Sequence, residues 1–166
     1  MSSSAFLWIG VAVLLFWAVG AYNRLVRLRS QGIATFAVLE NLLNQFAPMA
    51  SPEVTDSAAL VAAADQCRVA LKMCRSQPLH GATIGALTLA YETMCLSWSR
   101  QRPRAPGRSD PAQTEAVPLH WEQLVVQTEL ARTEFNKTVA RYNAAVSQFP
   151  AVLLARLFGF RPAQPM

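Results

Sequence analysis

Charge is what the first part of this chain lacks. Between Ala5 and Tyr22 there is no Asp, Glu, Lys, Arg or His, so all 15 basic and 10 acidic residues lie beyond it. A helix apolar on every face belongs in a protein core or a membrane, not on a soluble surface. Histidine is scarce too: there are 2, His80 and His120, with no HxxxH, HExxH or paired Cys/His spacing. That argues against a zinc site, whose ligands must converge on one ion. The 3 cysteines, Cys67, Cys74 and Cys95, are odd in number and form no CxxC. A disulfide framework is therefore not expected; small buried side chains in a reducing compartment are. Glycine-rich phosphate loops are absent, as are alternating apolar runs and the Asn-Gly or Asp-Gly turns that hairpins favour. No strand, metal or cofactor is expected.

The apolar run Ala5–Tyr22 is itself the strongest positive signal. As a helix it reaches about 27 Å, close to the hydrocarbon thickness of a bilayer. A cleavable leader is the competing reading, for Val19 and Ala21 suit a small-residue cleavage site. Against it, Met1-Ser-Ser-Ser carries no basic residue and the run is longer than usual. Retention as a bilayer anchor through residues 5–22 is the expectation. Arg24, Arg27 and Arg29 follow the run and no cation precedes it, so the positive-inside rule places the N-terminus outside and the body in the cytoplasm. The body carries the whole net charge of +5, too weak and dispersed to point to nucleic acid.

Four helices are legible by period. The first continues from the span through Leu25, Leu28, Gly32, Phe36, Leu39, Leu43 and Phe46, until Pro48 and Pro52. A second is expected to open with Ser51 as N-cap and Pro52 at its first position, with the stripe Leu60, Ala64, Cys67, Leu71, Cys74 ending before Pro78. Ile84, Leu87, Tyr91, Met94 and Trp98 mark a third, near whose start Gly81 and Gly85 form a small-residue step suited to close helix contact. The fourth runs Trp121, Leu124, Thr128, Ala131, Phe135, Thr138, Tyr142, Ala145 and Phe149, widened by Val125, Val139 and Val146, and stops at Pro150. Between the third and fourth, residues 100–118 are rich in Arg and Pro and nearly free of large apolar side chains, which predicts a mobile loop. The fold class is thus all-α: an N-terminal transmembrane helix continuing into an antiparallel four-helix bundle of long helices, within limits of three to five. The division is 1–23 anchor, 24–150 bundle, and 151–166 a short amphipathic tail. Counting helices back and forth puts Arg100–Arg108 at the end far from the membrane and Val152–Phe160 at the near end. There the tail either lies in the interface or caps the bundle core with Leu153, Leu157 and Phe160.

Two segments resemble the LemA family of bacterial membrane proteins. Tyr22-Asn-Arg-Leu-Val-Arg-Leu-Arg29, directly after the span, is similar to that family's opening. Phe135-Asn136, Val139, Tyr142-Asn143, Pro150 and Leu157-Phe-Gly-Phe160 are similar to its closing helix and terminal motif. The middle departs from the pattern. Phe36 stands where similar proteins carry Trp, Asn44-Gln45-Phe46 replaces a basic pair, and Ala47–Pro52 replaces a Leu-Ile-Pro-Asn-Leu-like run. The resemblance implies a divergent member with a single-pass anchor and a cytoplasmic bundle of long antiparallel helices. It implies no agreed activity.

Function is read accordingly. Ser51, Ser97, Ser99 and Cys95 lie in no nucleophile motif, and Asp65, Glu122 and Glu129 lack the Glu-x-x-His pattern of bundle di-metal sites. No catalytic residue is expected. A non-enzymatic scaffold or interaction module at the inner membrane surface is the expectation, with membrane or cytoplasmic proteins as partners and no nucleic acid; an oligomer is possible and not predicted. The alternatives are an unrecognised small hydrolase and an anionic-lipid surface sensor. The residues singled out are those of the family motif: Tyr22, Asn23, Leu25, Arg27, Arg29, Asn136, Tyr142, Asn143, Pro150, Phe158, Gly159 and Phe160. Arg100, Arg102, Arg104 and Arg108 form a candidate partner-binding loop.

Overall fold

The computed structural model describes residues 2–52, 54–100 and 111–166. Among them every regular element is helical: α1 (Ser2–Asn44), α2 (Phe46–Met49), α3 (Ala58–Ser76), α4 (Gly81–Ser99), α5 (Pro111–Ser147) and α6 (Ala151–Leu157). The α1 helix holds one stretch long and apolar enough to cross a membrane, and nothing in the protein buries that stretch. The same helix then enters the bundle without a break, where Leu25, Phe36, Leu39 and Leu43 are buried.

The helices pair as two antiparallel couples, α1 with α5 and α3 with α4, each packed closely within itself. Bulky side chains fill the core within and between the couples. Phe36 meets Phe135 at 6.0 Å between ring centroids. Further along, Phe46 sits edge-on to Trp121 at 4.7 Å, and Trp98 stacks on Trp121 at 4.1 Å. Offset and edge-on rings of this kind add about 0.5–1.5 kcal/mol each beyond their buried area. The register places Arg100 at the Trp98–Trp121 end and the α5–α6 turn at the Tyr22 end, as the count of helices predicts. The α3–α4 turn packs against α1 at Gly32, where a Cβ would lie in van der Waals contact with Leu79 at 3.4 Å.

Four boundaries differ from the expected ones. Ser51 is not an N-cap: its carbonyl accepts from the Val54 and Thr55 N–H groups, both at 3.0 Å, in a turn that goes no further. The cap is Ser57, whose Oγ accepts from the Leu60 N–H at 3.3 Å. Pro48 lies inside α2 instead of ending a helix, in a first turn where its missing N–H has no partner to lose. Residues 111–118 of the expected loop are helical, because Pro111 starts α5 and helix-forming Ala, Gln and Glu follow it; residues 101–110 lie outside the described residues. At the other end α5 stops at Ser147, so Phe149 leaves the core stripe and is 77% exposed.

Candidate functional site

The last nine residues do not form a helix. After α6, Gly159 takes φ 71°, a left-handed conformation that costs glycine little, and turns the chain back along α5. Residues 161–166 then run antiparallel to α5 and are held through their backbone. The Tyr142 hydroxyl donates to the Arg161 carbonyl at 3.0 Å. Asn143 Oδ1 accepts from the Ala163 N–H and its Nδ2 donates to the Ala163 carbonyl, both at 2.8 Å. Asn136 repeats the arrangement on Met166, again with two bonds of 2.8 Å.

The spacing explains the fit. Asn136 and Asn143 are seven residues apart, about 10.5 Å along a helix. Ala163 and Met166 are three apart, about 10 Å in an extended chain. Two asparagines on one helical face therefore meet two backbone units of the tail in register, and the side chains of Ala163 and Met166 are buried. Arg132 closes the far end: its Nε donates to the Met166 carbonyl at 2.8 Å, and the same guanidinium reaches Glu92 on α4 at 3.7 Å and Glu129 at 3.5 Å. The α4 wall is made by Gly81 and Gly85, whose small-residue step serves the tail and not another helix. A Cβ on Gly81 would come within 2.8 Å of Gln164 Oε1.

Tyr22, from the opening motif, meets Phe158 and Phe160 of the closing one. The Tyr22 ring contacts Phe158 at 4.9 Å and Phe160 at 5.9 Å between centroids, while Leu25 is fully packed beneath. Burial pushes the Tyr142 hydroxyl above its usual range, and nearby Arg29 partly offsets this. Asn23 and Arg27 are exposed, and Pro150 lines a cleft beside Trp17 and Arg24. Leu153 and Leu157 are exposed, so they do not cap the core; Ala155 does, with Phe160 partly buried. Of the basic loop, Arg100 is exposed at the end of α4, and Arg102, Arg104 and Arg108 lie outside the described residues.

The cysteines and Tyr91 lie in or beside the helical core. All three cysteines are free. Burial, helped by nearby Cys95 and Cys74, pushes the Cys67 thiol up to about 12. The Cys74 thiol donates to the Thr83 carbonyl at 3.1 Å across the α3–α4 turn. Cys95 and Tyr91 neighbour each other, and burial raises both. A raised thiol pKa removes the thiolate that a nucleophile needs. Sequence reasoning missed the tail clasp. The asparagines were visible as motif, but nothing in the pattern told that their partner would be a peptide backbone thirty and twenty residues on.

A model of the LemA family matches residues 122–166, which contain Asn136, Tyr142, Asn143, α6 and the clasped tail. The match does not reach Tyr22–Arg29; at that end the likeness rests on the motif itself. Comparison with curated proteins and with solved structures finds no match.

Proposed function

We propose that this chain is a membrane-anchored, non-enzymatic scaffold or interaction module of LemA type, with its N-terminus outside and its body at the cytoplasmic face. The observation that carries the reading is where the motif residues act. They hold the end of the chain to two helices: Tyr22 of α1 meets Phe158 and Phe160, and Tyr142 and Asn143 of α5 bond the backbone of Arg161 and Ala163. Tyr142 and Asn143 spend their polar atoms on the tail's own backbone. Such a network fixes how a bundle stands on its anchor, which a scaffold requires. Arg24, Arg27 and Arg29 supply the charge asymmetry for the orientation.

The test uses the full chain in its native membrane. Photoreactive residues in place of exposed Leu89 and Leu130 should give discrete protein adducts. A reporter active only outside the membrane, fused after Met166, should be silent; activity there would overturn the orientation. No adducts, together with a hydrolytic turnover lost in Cys95→Ala or Ser97→Ala, would replace the scaffold by the hydrolase.

A further inference from the structure

Four large apolar side chains around α6 are more than half uncovered by the protein: Phe149, Leu153, Leu157 and Phe158 are 77%, 59%, 76% and 56% exposed. Phe149, Leu153 and Leu157 follow one another at four-residue steps. The opposite side of α6 packs inward, with Ala155 1% exposed and Leu154 half-buried. The surface lies beside the anchor: Phe158 is on Tyr22, and Phe149, Pro150 and Ala151 share a cleft of about 260 Å³ with Trp17, Ala21 and Arg24. Trp17 is five residues into the apolar stretch from Tyr22, about 7.5 Å of helical rise. The turn before α6 therefore stands alongside the span instead of below its end.

We infer that residues 149–158 form a second membrane contact, an interfacial shelf that takes anionic phospholipid of the leaflet in which Tyr22 sits. This rests on the anchoring proposed above and goes beyond it. Three observations choose lipid as the occupant. The apolar face is continuous with the span, so whatever surrounds Trp17 also reaches Phe149. The offset of about 7.5 Å falls within the 5–10 Å to which interfacial helices sink. Arg24 lines the cleft, Arg156 is on α6 and Arg161 follows Phe160; all three are exposed and offer cations to anionic headgroups. The cleft offers a lipid apolar walls in Trp17, Leu25 and Pro150, and a phosphate donor in Arg24.

Depth-dependent quenching tests this on the full chain in vesicles of phosphatidylcholine with phosphatidylglycerol. Single labels go on Leu153→Cys, Leu157→Cys, Val13→Cys and Leu130→Cys in a Cys95→Ser background, since Cys67 and Cys74 are buried. Leu130 lies seventeen residues before the end of α5, about 26 Å from the turn. Lipid brominated on the upper acyl chain should quench positions 13, 153 and 157 at least twofold and spare 130. Quenching at 13 with 153 and 157 behaving like 130 overturns the shelf and leaves the anchor standing. No quenching at 13 overturns the anchor itself, and the shelf with it. Labels at 153 and 157 shielded from aqueous iodide yet untouched by brominated lipid would mean that protein covers the face, and would also overturn the shelf. Brominated phosphatidylglycerol should quench position 157 more than brominated phosphatidylcholine at equal mole fraction. Arg24→Gln with Arg156→Gln should abolish that difference; equal quenching by both lipids in the parent would overturn the anionic preference.

Discussion

Asn143 and Ala163 are joined by two hydrogen bonds of 2.8 Å, one in each direction, so a single side chain satisfies a whole backbone unit of the tail. The same pattern links Asn136 to Met166, and together they replace the ladder that a neighbouring strand would provide. The tail's own side chains play little part in these bonds. Its position is therefore set by α5, and sequence changes at Gln164 or Pro165 should matter less than changes at the asparagines.

Asn143→Ala should release the Ala163 amide to fast hydrogen exchange and cost about 1–3 kcal/mol, the range for stranding buried polar groups. Asn136→Ala should do the same at Met166. Each substitution should act mainly on its own amide, because the two sites are about 10 Å apart. Loss of protection at both amides from either change would mean that the tail docks as one unit. No loss at either would remove the clasp from the account of this fold.

The contact between Tyr22 and Phe158 calls for a double-mutant cycle. Tyr22→Leu and Phe158→Leu keep apolar bulk and remove the ring pair, whose centroids are 4.9 Å apart. A coupling of about 0.5–1.5 kcal/mol is expected from aromatic pairs in such geometry. Additive effects would show that the two ends of the motif do not depend on each other.

What the sequence made legible is the helical core, and the reason is periodicity. Every position of the α3 stripe from Leu60 to Cys74 is buried, as are Ile84, Leu87, Tyr91 and Met94 in α4. Burial on one face imposes a period that survives without any knowledge of partners. The helix ends were less legible, because their signals are local and repeat nearby. Ser51-Pro52 and Ser57 both fit a helix start, and only the backbone bonds to the Ser51 carbonyl show which one is a turn. Phe149 kept the period of α5 but fell beyond its last residue, Ser147. The clasp was not legible at all, since backbone recognition by side chains leaves no pattern in the segment recognised.

The α5 stripe gives the most direct test of the core. Phe135 is fully buried against Phe36, so Phe135→Ala should cost about 3–5 kcal/mol. Glu134→Ala and Lys137→Ala, which break only an exposed pair at 3.5 Å, should be nearly neutral. Thermal unfolding of the three variants in the same detergent measures the contrast. Equal shifts at stripe and surface positions would contradict the packing of α5 against α1.

Alkaline pH should expose the buried thiol. Below 9.0, the ordinary thiol value, Cys67 is protonated in both folded and unfolded chains and contributes no pH dependence. Between 9.0 and about 12 the unfolded chain ionises while the folded chain resists, so stability falls as pH rises. The slope from one such group is about 1.4 kcal/mol per pH unit. Cys74, Cys95, Tyr91 and Tyr142 are also shifted upward by burial and act in the same direction. The diagnostic quantity is therefore the difference between the parent and Cys67→Ala, measured by thermal unfolding under reductant from pH 8 to 11. The two should run parallel up to pH 9 and converge above it, because the variant has no thiol at position 67 to ionise. Parallel curves over the whole range would mean that Cys67 is reached by water, and that the α3 stripe is looser at its centre than its burial implies.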